Sequence, residues 1–422
     1  MIELGAQIAK NGYLIMALYV LVGGILMRQN WKKTMRSVIR AAIGVILLTL
    51  GGEVIMRSLV SLTYVFQRSF RVIGILSSNE RLLAYTDSQY GGMLYGIMLV
   101  GMAINVLMAR FTRFKYVFLA GHQVLFMSGA LAAMATYLTL SPLVGILSAG
   151  ILLGVMMTVF PHLIQPYTER ITGKKEMAVG HFSSLGFFLS AWIGKVFHKE
   201  ADESIKRKNA NGFLDDHIVA TAIFMVAIFL ISALFAKRSY VEDITGGNFY
   251  LLFALEQGLT FTGGVYIIIN GVRLIIQEIM PIFQQVAKRF VPNAIPALDV
   301  SMLFVYQRGR LMLGFVGSLL GGVLAMFVLG TWSVWVIIPS STVYFFSGSA
   351  SGLYGYSTGG KRGAILSSVL FGFALGALPI LTMRLLSELG FYRVVFPEID
   401  FQILAGITMG IKRIIQLLGF AG

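Results

Sequence analysis

Long apolar runs alternate with short polar connections along this chain, and most of the runs have the length of a bilayer crossing. They cover residues 11–27, 41–62, 91–109, 117–138 and 142–160, then 216–236, 250–275, 311–330, 332–348, 365–386 and 400–420. A helix rises 1.5 Å per residue and needs about 17–25 residues to cross the hydrocarbon. The pattern therefore predicts about eleven transmembrane helices. The runs are continuous and lack the period-two alternation of membrane barrel strands, which excludes that architecture. The predicted fold class is an all-α polytopic membrane protein.

Composition agrees. Of 422 residues, 57% are hydrophobic and 13% charged, with a mean hydropathy of +0.79. A soluble domain carries about 25% charged residues. The opening "MIELGAQIAKNGYLIM" has Glu3 where a cleavable leader would be basic, so no leader is expected. With no cysteine, the chain offers neither a disulfide nor a thiol nucleophile.

The net charge of +15 adds orientation rather than a nucleic-acid partner. Basic residues gather in short loops, at Arg28, Lys32, Lys33, Arg36 and Arg40, then at Arg110, Arg113 and Lys115, then at Arg170, Lys174 and Lys175. Further clusters are Lys195, Lys199, Lys206, Arg207 and Lys208, then Lys288 with Arg289, and Lys361 with Arg362. Cytoplasmic loops of membrane proteins carry this excess. Threading the spans with these loops inside places the N-terminus outside. Segment 178–197 must then enter and leave on one side, which predicts a re-entrant hairpin; its glycines and serines suit backbone shielded from lipid.

The same thread starts the second half from the opposite side. Residues 46–72, "ILLTLGGEVIMRSLVSLTYVFQRSFRV", resemble 266–291, "YIIINGVRLIIQEIMPIFQQVAKRFV", with glycine-centred breaks expected at Gly51-Gly52 and Asn270-Gly271. We therefore expect inverted repeats over 1–210 and 211–398, a final helix over 399–422, and substrate near the breaks.

Ionisable residues inside spans are costly and mark candidate sites. Here they are Glu53, His122, His181, Glu256, Arg273 and Asp299. Glu53 has an alternative partner in Arg57 four residues on. Glu256 and Arg273 fit the interfaces, and His162, His198 and His217 fit solvated ends. His122 and His181 each follow a glycine, in "AGHQVLFMSG" and "VGHFSSLGFF". Asp299 ends "RFVPNAIPALD", after a backbone broken by Pro292 and Pro296, where a carboxylate accepts from two hydroxyls or caps the next helix. The glycine-rich segment 345–363, "FFSGSASGLYGYSTGGKRG", fails the phosphate-loop pattern because Arg362 follows Gly359-Gly360-Lys361. It reads as a small-residue hairpin ending in a cytoplasmic turn. No spacing suits a metal or a catalytic triad, so no metal, cofactor or catalytic residue is expected.

The ordered blocks "AGHQVLFMSG", "VGHFSSLGFFLSAWIGKVF", "GFLDDHIVATAIFMVAIF", "INGVRLIIQEIMPIFQQVAKRFVPNAIPALD" and "IIPSSTVYFFSGSASGLYG" span about 47–364. They resemble the ascorbate-type IIC membrane component of the bacterial phosphotransferase system, of the ascorbate–galactitol superfamily. The resemblance implies a homodimer in the bacterial inner membrane, with dimer-interface and core domains interleaved between the repeats. It implies inward carriage of sugar, which a phosphocysteine on a separate IIB protein, itself served by IIA, then phosphorylates. The charged loop 198–216 is a candidate docking surface for that partner. The resemblance maps the family's sugar site onto Gly51, Gly52, His122, His181 and Asp299, with Ser183, Ser184 or Gln123 as polar groups that could replace missing amides. Phe126 and Phe182 stand where the family pattern has amides, and a tyrosine expected near Ser77 has no match. These departures extend the candidate substrates from ascorbate to a pentitol, hexitol or pentose. Ion-coupled uptake of a small polar solute is the alternative class.

Overall fold

The computed structural model describes residues 12–70, 74–197, 217–236, 238–330 and 336–418. It is almost wholly helical and divides into two compact units, each drawn from both halves of the chain. The first comprises Met1–Phe70, Asn209–Pro296 and Ser301–Gly309; the second comprises Arg71–Lys208, Ala297–Val300 and Arg310–Gly422.

In the first unit, α1 (Gly12–Leu26) leads into the 40-residue α2 (Trp31–Phe70). Helix α7 (His217–Ala236) and a short helix, Arg238–Ile244, lead into the 41-residue α8 (Tyr250–Phe290). Helices α2 and α8 pack antiparallel along a seam of glycines. A Cβ on Gly44 would lie 3.0 Å from the Gly271 carbonyl, and one on Gly51 would lie 2.8 Å from that of Gly264. The reverse contacts, from Gly271 to Gly44 and from Gly264 to Gly51, are as close. Small residues let membrane helices meet at backbone distance, where packing rather than hydrophobicity drives association. The breaks expected at Gly51-Gly52 and Asn270-Gly271 are absent, because the facing backbone fills the space their missing side chains leave and both helices run straight through.

The second unit holds α3 (Asn79–Phe111), α4 (Gly121–Tyr137), α5 (Pro142–Thr172) and α6 (Ser184–Val196) from the first half. From the second half come α9 (Leu311–Gly330), α10 (Ser349–Glu388) and α11 (Ile399–Leu417). Two small sheets tie them together. Strand β1 (Ile75–Leu76) pairs in parallel with β5 (Ile337–Ile338), and β4 (Ile295–Leu298) lies between β2 (Tyr116–Phe118) and β3 (Ala178–Val179).

Among the described residues seven helices are long and apolar enough to cross a membrane. Four expected spans take other forms. Helix α1 is described over 15 residues. Segment 117–138 is a strand followed by the 17-residue α4. Segment 332–348 contains β5, a turn of helix at Ser341–Val343 and a π-helical stretch, Tyr344–Gly348, that runs into α10. Segment 400–420 is α11, whose last turns carry Lys412 and Arg413. The expected hairpin at 178–197 consists of β3, a tight turn and the 13-residue α6, about 20 Å long and too short to cross about 30 Å of hydrocarbon.

Helix α10 is itself a helical hairpin. Gly360 has φ 59° and ψ −150°, a conformation open essentially to glycine alone. The chain reverses there, so that Ser367 Oγ donates to the Ser351 carbonyl (3.4 Å) and Gly355 faces Gly363. The glycine-rich segment is thus a hairpin made of helix. Helix α3 bends similarly at Tyr90 (φ −129°, ψ 22°), one residue before the expected span 91–109.

The element order recurs with a shift of 220 residues: α2 at 31 maps onto 251, β1 at 75 onto 295, and α4 at 121 onto 341. The shift also carries α5 at 142 onto 362 and β3 at 178 onto 398, and it sets α6 on α11.

Candidate substrate site

One small sheet delivers the three principal candidates. Strand β2 leads through Leu119 and Ala120 to Gly121-His122 at the start of α4, β4 ends at Asp299, and β3 runs through Gly180 to His181. Strands β3 and β4 are parallel, with Ala178 opposite Ala297 and Val179 opposite Leu298. Beyond the strands, Gly180 N–H donates to the Leu298 carbonyl (2.7 Å) and Leu119 N–H donates to the Ala297 carbonyl (2.8 Å). The apolar strand residues are buried, so the sheet is anchored in the core and its ends carry the polar groups.

There His122 Nε2 stands 3.2 Å from Asp299 Oδ1. The imidazole side chain is 51% exposed and the carboxylate 20%, so the pair lines an accessible surface. His181 is buried, and its Nδ1 lacks a hydrogen-bond partner among the described residues. Asp299 and His122 both lie near it. Phe126, one turn after His122, sets its ring edge-on to the imidazole at 6.0 Å. The helix after Asp299 starts at Met302 with Ser301 in the cap position.

The structure turns Phe182 the other way. Phe182 lies in the tight turn between β3 and α6, and the turn directs its ring into the core. It is fully buried, stacked on Phe118 at 5.2 Å and flanked by Phe160 and Phe401. Ser183 is also engaged: its Oγ donates to Glu398 Oε2 (2.6 Å) and accepts from Ile399 N–H (3.3 Å). Gly51 and Gly52 belong to the first unit, Gly51 in the α2–α8 seam and Gly52 with open space beside it. Segment 198–216 lies outside the described residues. Glu53 and Glu256 are exposed on their helices. His162 packs edge-on to Phe114 at 4.9 Å.

Two carboxylates that the sequence reading passed over, Glu398 and Asp400, hold the His181 turn. Asp400 accepts from Ser184 N–H (2.9 Å) and Leu185 N–H (3.1 Å), capping α6 from a distant part of the chain. Ser184 Oγ donates to the His181 carbonyl (2.6 Å). Glu398 accepts from Ser183, from Ser347 Oγ (2.9 and 3.1 Å) and, at 3.4 Å, from Asn79 Nδ2. Both carboxylates are buried, and among the described residues neither meets a cation in an ion pair. The signal is present in "VFPEIDF": two acids beside a proline, inside an otherwise apolar stretch.

Several buried polar atoms here remain unpaired among the described residues: Ser77 Oγ, Asn79 Oδ1, Gln123 Oε1, His181 Nδ1 and Ser349 Oγ. Each such group costs about 1–3 kcal/mol unless something satisfies it. They sit at or near the starts of α3, α4, α6 and α10. Helix N-termini offer free N–H groups and a positive potential. The arrangement can receive a small, hydroxyl-rich, negatively charged molecule.

Comparison with known proteins decides the family. The family EIIC-GAT, the PTS system sugar-specific permease component, matches residues 7–400. The chain belongs to this family. The chain is also similar to the ascorbate-specific PTS system EIIC component of Mycoplasma pneumoniae (strain ATCC 29342 / M129 / Subtype 1), 22% identical over 420 residues. The alignment covers 85% of this chain and 63% of the relative, so the chain spans less than two thirds of that protein's length.

Proposed function

We propose that this chain is the membrane permease of a phosphotransferase system and binds an ascorbate-like sugar acid between His122, His181 and Asp299. The observation that carries this reading is the His122–Asp299 pair beside a buried His181 whose Nδ1 is unpaired. Two imidazoles supply donors to an enolate or ring oxygen, and a carboxylate accepts from vicinal hydroxyls. The expectation that Phe182 turns the site toward a polyol loses its support, because Phe182 presents no surface to a ligand. Phe126 alone remains as an apolar neighbour, and an edge-on ring is compatible with a flat enediol. The relative that is named ascorbate-specific favours the same choice.

Transport follows from the repeats. We infer that the two halves are inverted copies, since a shift of 220 residues superposes their elements in order. The shift carries Gly44 onto 264 and Gly51 onto 271, so the contact Gly44–Gly271 becomes Gly264–Gly51, as observed. A two-fold exchange between antiparallel α2 and α8 accounts for both. The correspondence continues through α11, so the final helix belongs to the second repeat. The second unit is the mobile core that carries sugar, and the first is the scaffold through which two copies pair. The chain lies in the bacterial inner membrane with its N-terminus outside. The cytoplasmic IIB protein, charged by IIA, supplies the phosphoryl group.

Proteoliposomes test the class. Labelled ascorbate should accumulate as a phosphate ester only when phosphorylated IIB is enclosed. Accumulation of free sugar driven by a sodium or proton gradient would establish ion-coupled uptake instead.

A further inference from the structure

A second polar feature lies at the other end of the second unit's helices. Tyr137 at the end of α4, Arg384 and Glu388 at the end of α10, and Met409, Gly410, Lys412, Arg413 and Gln416 on α11 enclose a cavity of about 480 Å³. Its lining carries three cations and one carboxylate. Arg384 Nε lies 2.8 Å from Glu388 Oε1, and Lys412 Nζ lies 3.2 Å from Glu388 Oε2 and 3.7 Å from the centre of the Tyr137 ring. Both Glu388 oxygens are thus committed. Among the described residues Arg413 has no acidic partner. The cavity therefore keeps an excess of two positive charges, with the guanidinium of Arg413 on its wall.

Two further observations point to the occupant. First, large exposed apolar side chains stand one helical turn from the two arginines: Leu381, before Arg384, is 69% exposed, and Leu417, after Arg413, is 73% exposed. Charge and apolar surface thus adjoin at helix ends, where headgroups meet acyl chains. Second, orientation does not account for these cations. Tyr137 adjoins Pro142, the start of α5, whereas Arg170, Lys174 and Lys175 lie at or just past the other end of α5. Likewise Glu388 ends the α10 arm that starts at Lys361-Arg362. The cluster therefore lies across the membrane from the basic loops that the positive-inside tendency explains.

We propose that this cavity is a phospholipid site, in which Arg384 and Arg413 hold the phosphate of an anionic headgroup while the acyl chains lie on Leu381 and Leu417. Guanidinium groups match phosphate geometry with paired donors, and basic pockets between transmembrane helices hold anionic headgroups. Because α11 also carries Asp400 at its start, lipid at one end of α11 steadies the helix whose other end caps the His181 turn.

Native mass spectrometry of the full chain in mild detergent, titrated with phosphatidylglycerol, tests the site. The expected result is a bound lipid whose affinity falls at least tenfold in Arg384→Gln/Arg413→Gln, but not in Lys174→Gln/Lys175→Gln. Arg413→Lys should retain part of the binding, and unchanged melting in detergent shows that the variants are folded. Equal binding by parent and double variant, or equal preference for phosphatidylcholine, overturns the proposal. So does displacement of the lipid by millimolar inorganic phosphate, which would make the cavity a free-anion site.

Discussion

At His181 the chain turns from a two-residue strand into a half-length helix, and the turn is held from behind by Asp400 and Glu398. Asp400→Asn keeps one acceptor and turns an amide toward the other N–H of α6. Loss of one buried hydrogen bond to the backbone costs about 1 kcal/mol, so ligand binding should weaken by roughly fivefold. Calorimetry on the variant checks this; unchanged affinity would separate the cap from the site. Phe182 gives the opposite expectation. In Phe182→Gln an unpaired amide replaces a ring packed among Phe118, Phe160 and Phe401. The cost is about 3 kcal/mol or more in stability, read as a lower melting temperature with no switch toward polyols. A stable variant with altered sugar preference would contradict the packing described here. The two Gly-His pairs and Asp299 were legible in the sequence as polar groups in apolar runs. The direction of Phe182 was not, because it lies in a turn, where side-chain facing follows no sequence period.

Among elements, glycine is the residue whose sequence meaning was ambiguous. Gly51-Gly52 reads equally as a break or as a close contact, and the structure gives the contact. Gly51→Leu should therefore destabilise the α2–α8 pair, since its Cβ would meet backbone at 2.8 Å, whereas Gly52→Leu, with open space, should be tolerated. Size-exclusion yield and thermal unfolding of the two variants distinguish a seam from a hinge. Gly360 is the converse case, a true reversal. Gly360→Ala should cost about 1–3 kcal/mol, visible as a lower melting temperature. Spans were legible because apolar length is a strong signal. Half-spans such as β2 with α4, or β5 with the π-helical stretch, were not, since the same apolar run serves one crossing helix or a strand plus an arm that stops partway.

At the scale of the molecule the element order recurs after 220 residues, and α3, α4, α6 and α10 of the second unit start at or near one polar site. Each half supplies a sheet strand, an arm, a span and a second arm, and the pairs β1–β5 and β4–β2 are counterparts under the same 220-residue shift. Weak similarity between 46–72 and 266–291 suggests the duplication we propose. The element order carries the proposal through α11, although side chains 220 residues apart differ: Asp299 lies at the place of Asn79 and Thr342 at that of His122. At one of these places Asp299 pairs with His122, while at the other Asn79 donates to Glu398. Membrane placement and the family are established by composition, helix length and the match over residues 7–400. The sugar and its site rest on the geometry around His122, His181 and Asp299.

The most direct measurement is a calorimetric titration of the purified chain with ascorbate, beside His122→Ala, His181→Ala and Asp299→Ala. The account predicts saturable binding by the parent and a loss of about tenfold or more in each variant, as expected for removal of a hydrogen bond to a charged group worth about 1.5–3 kcal/mol. Binding of ascorbate with equal affinity by all four proteins would contradict it.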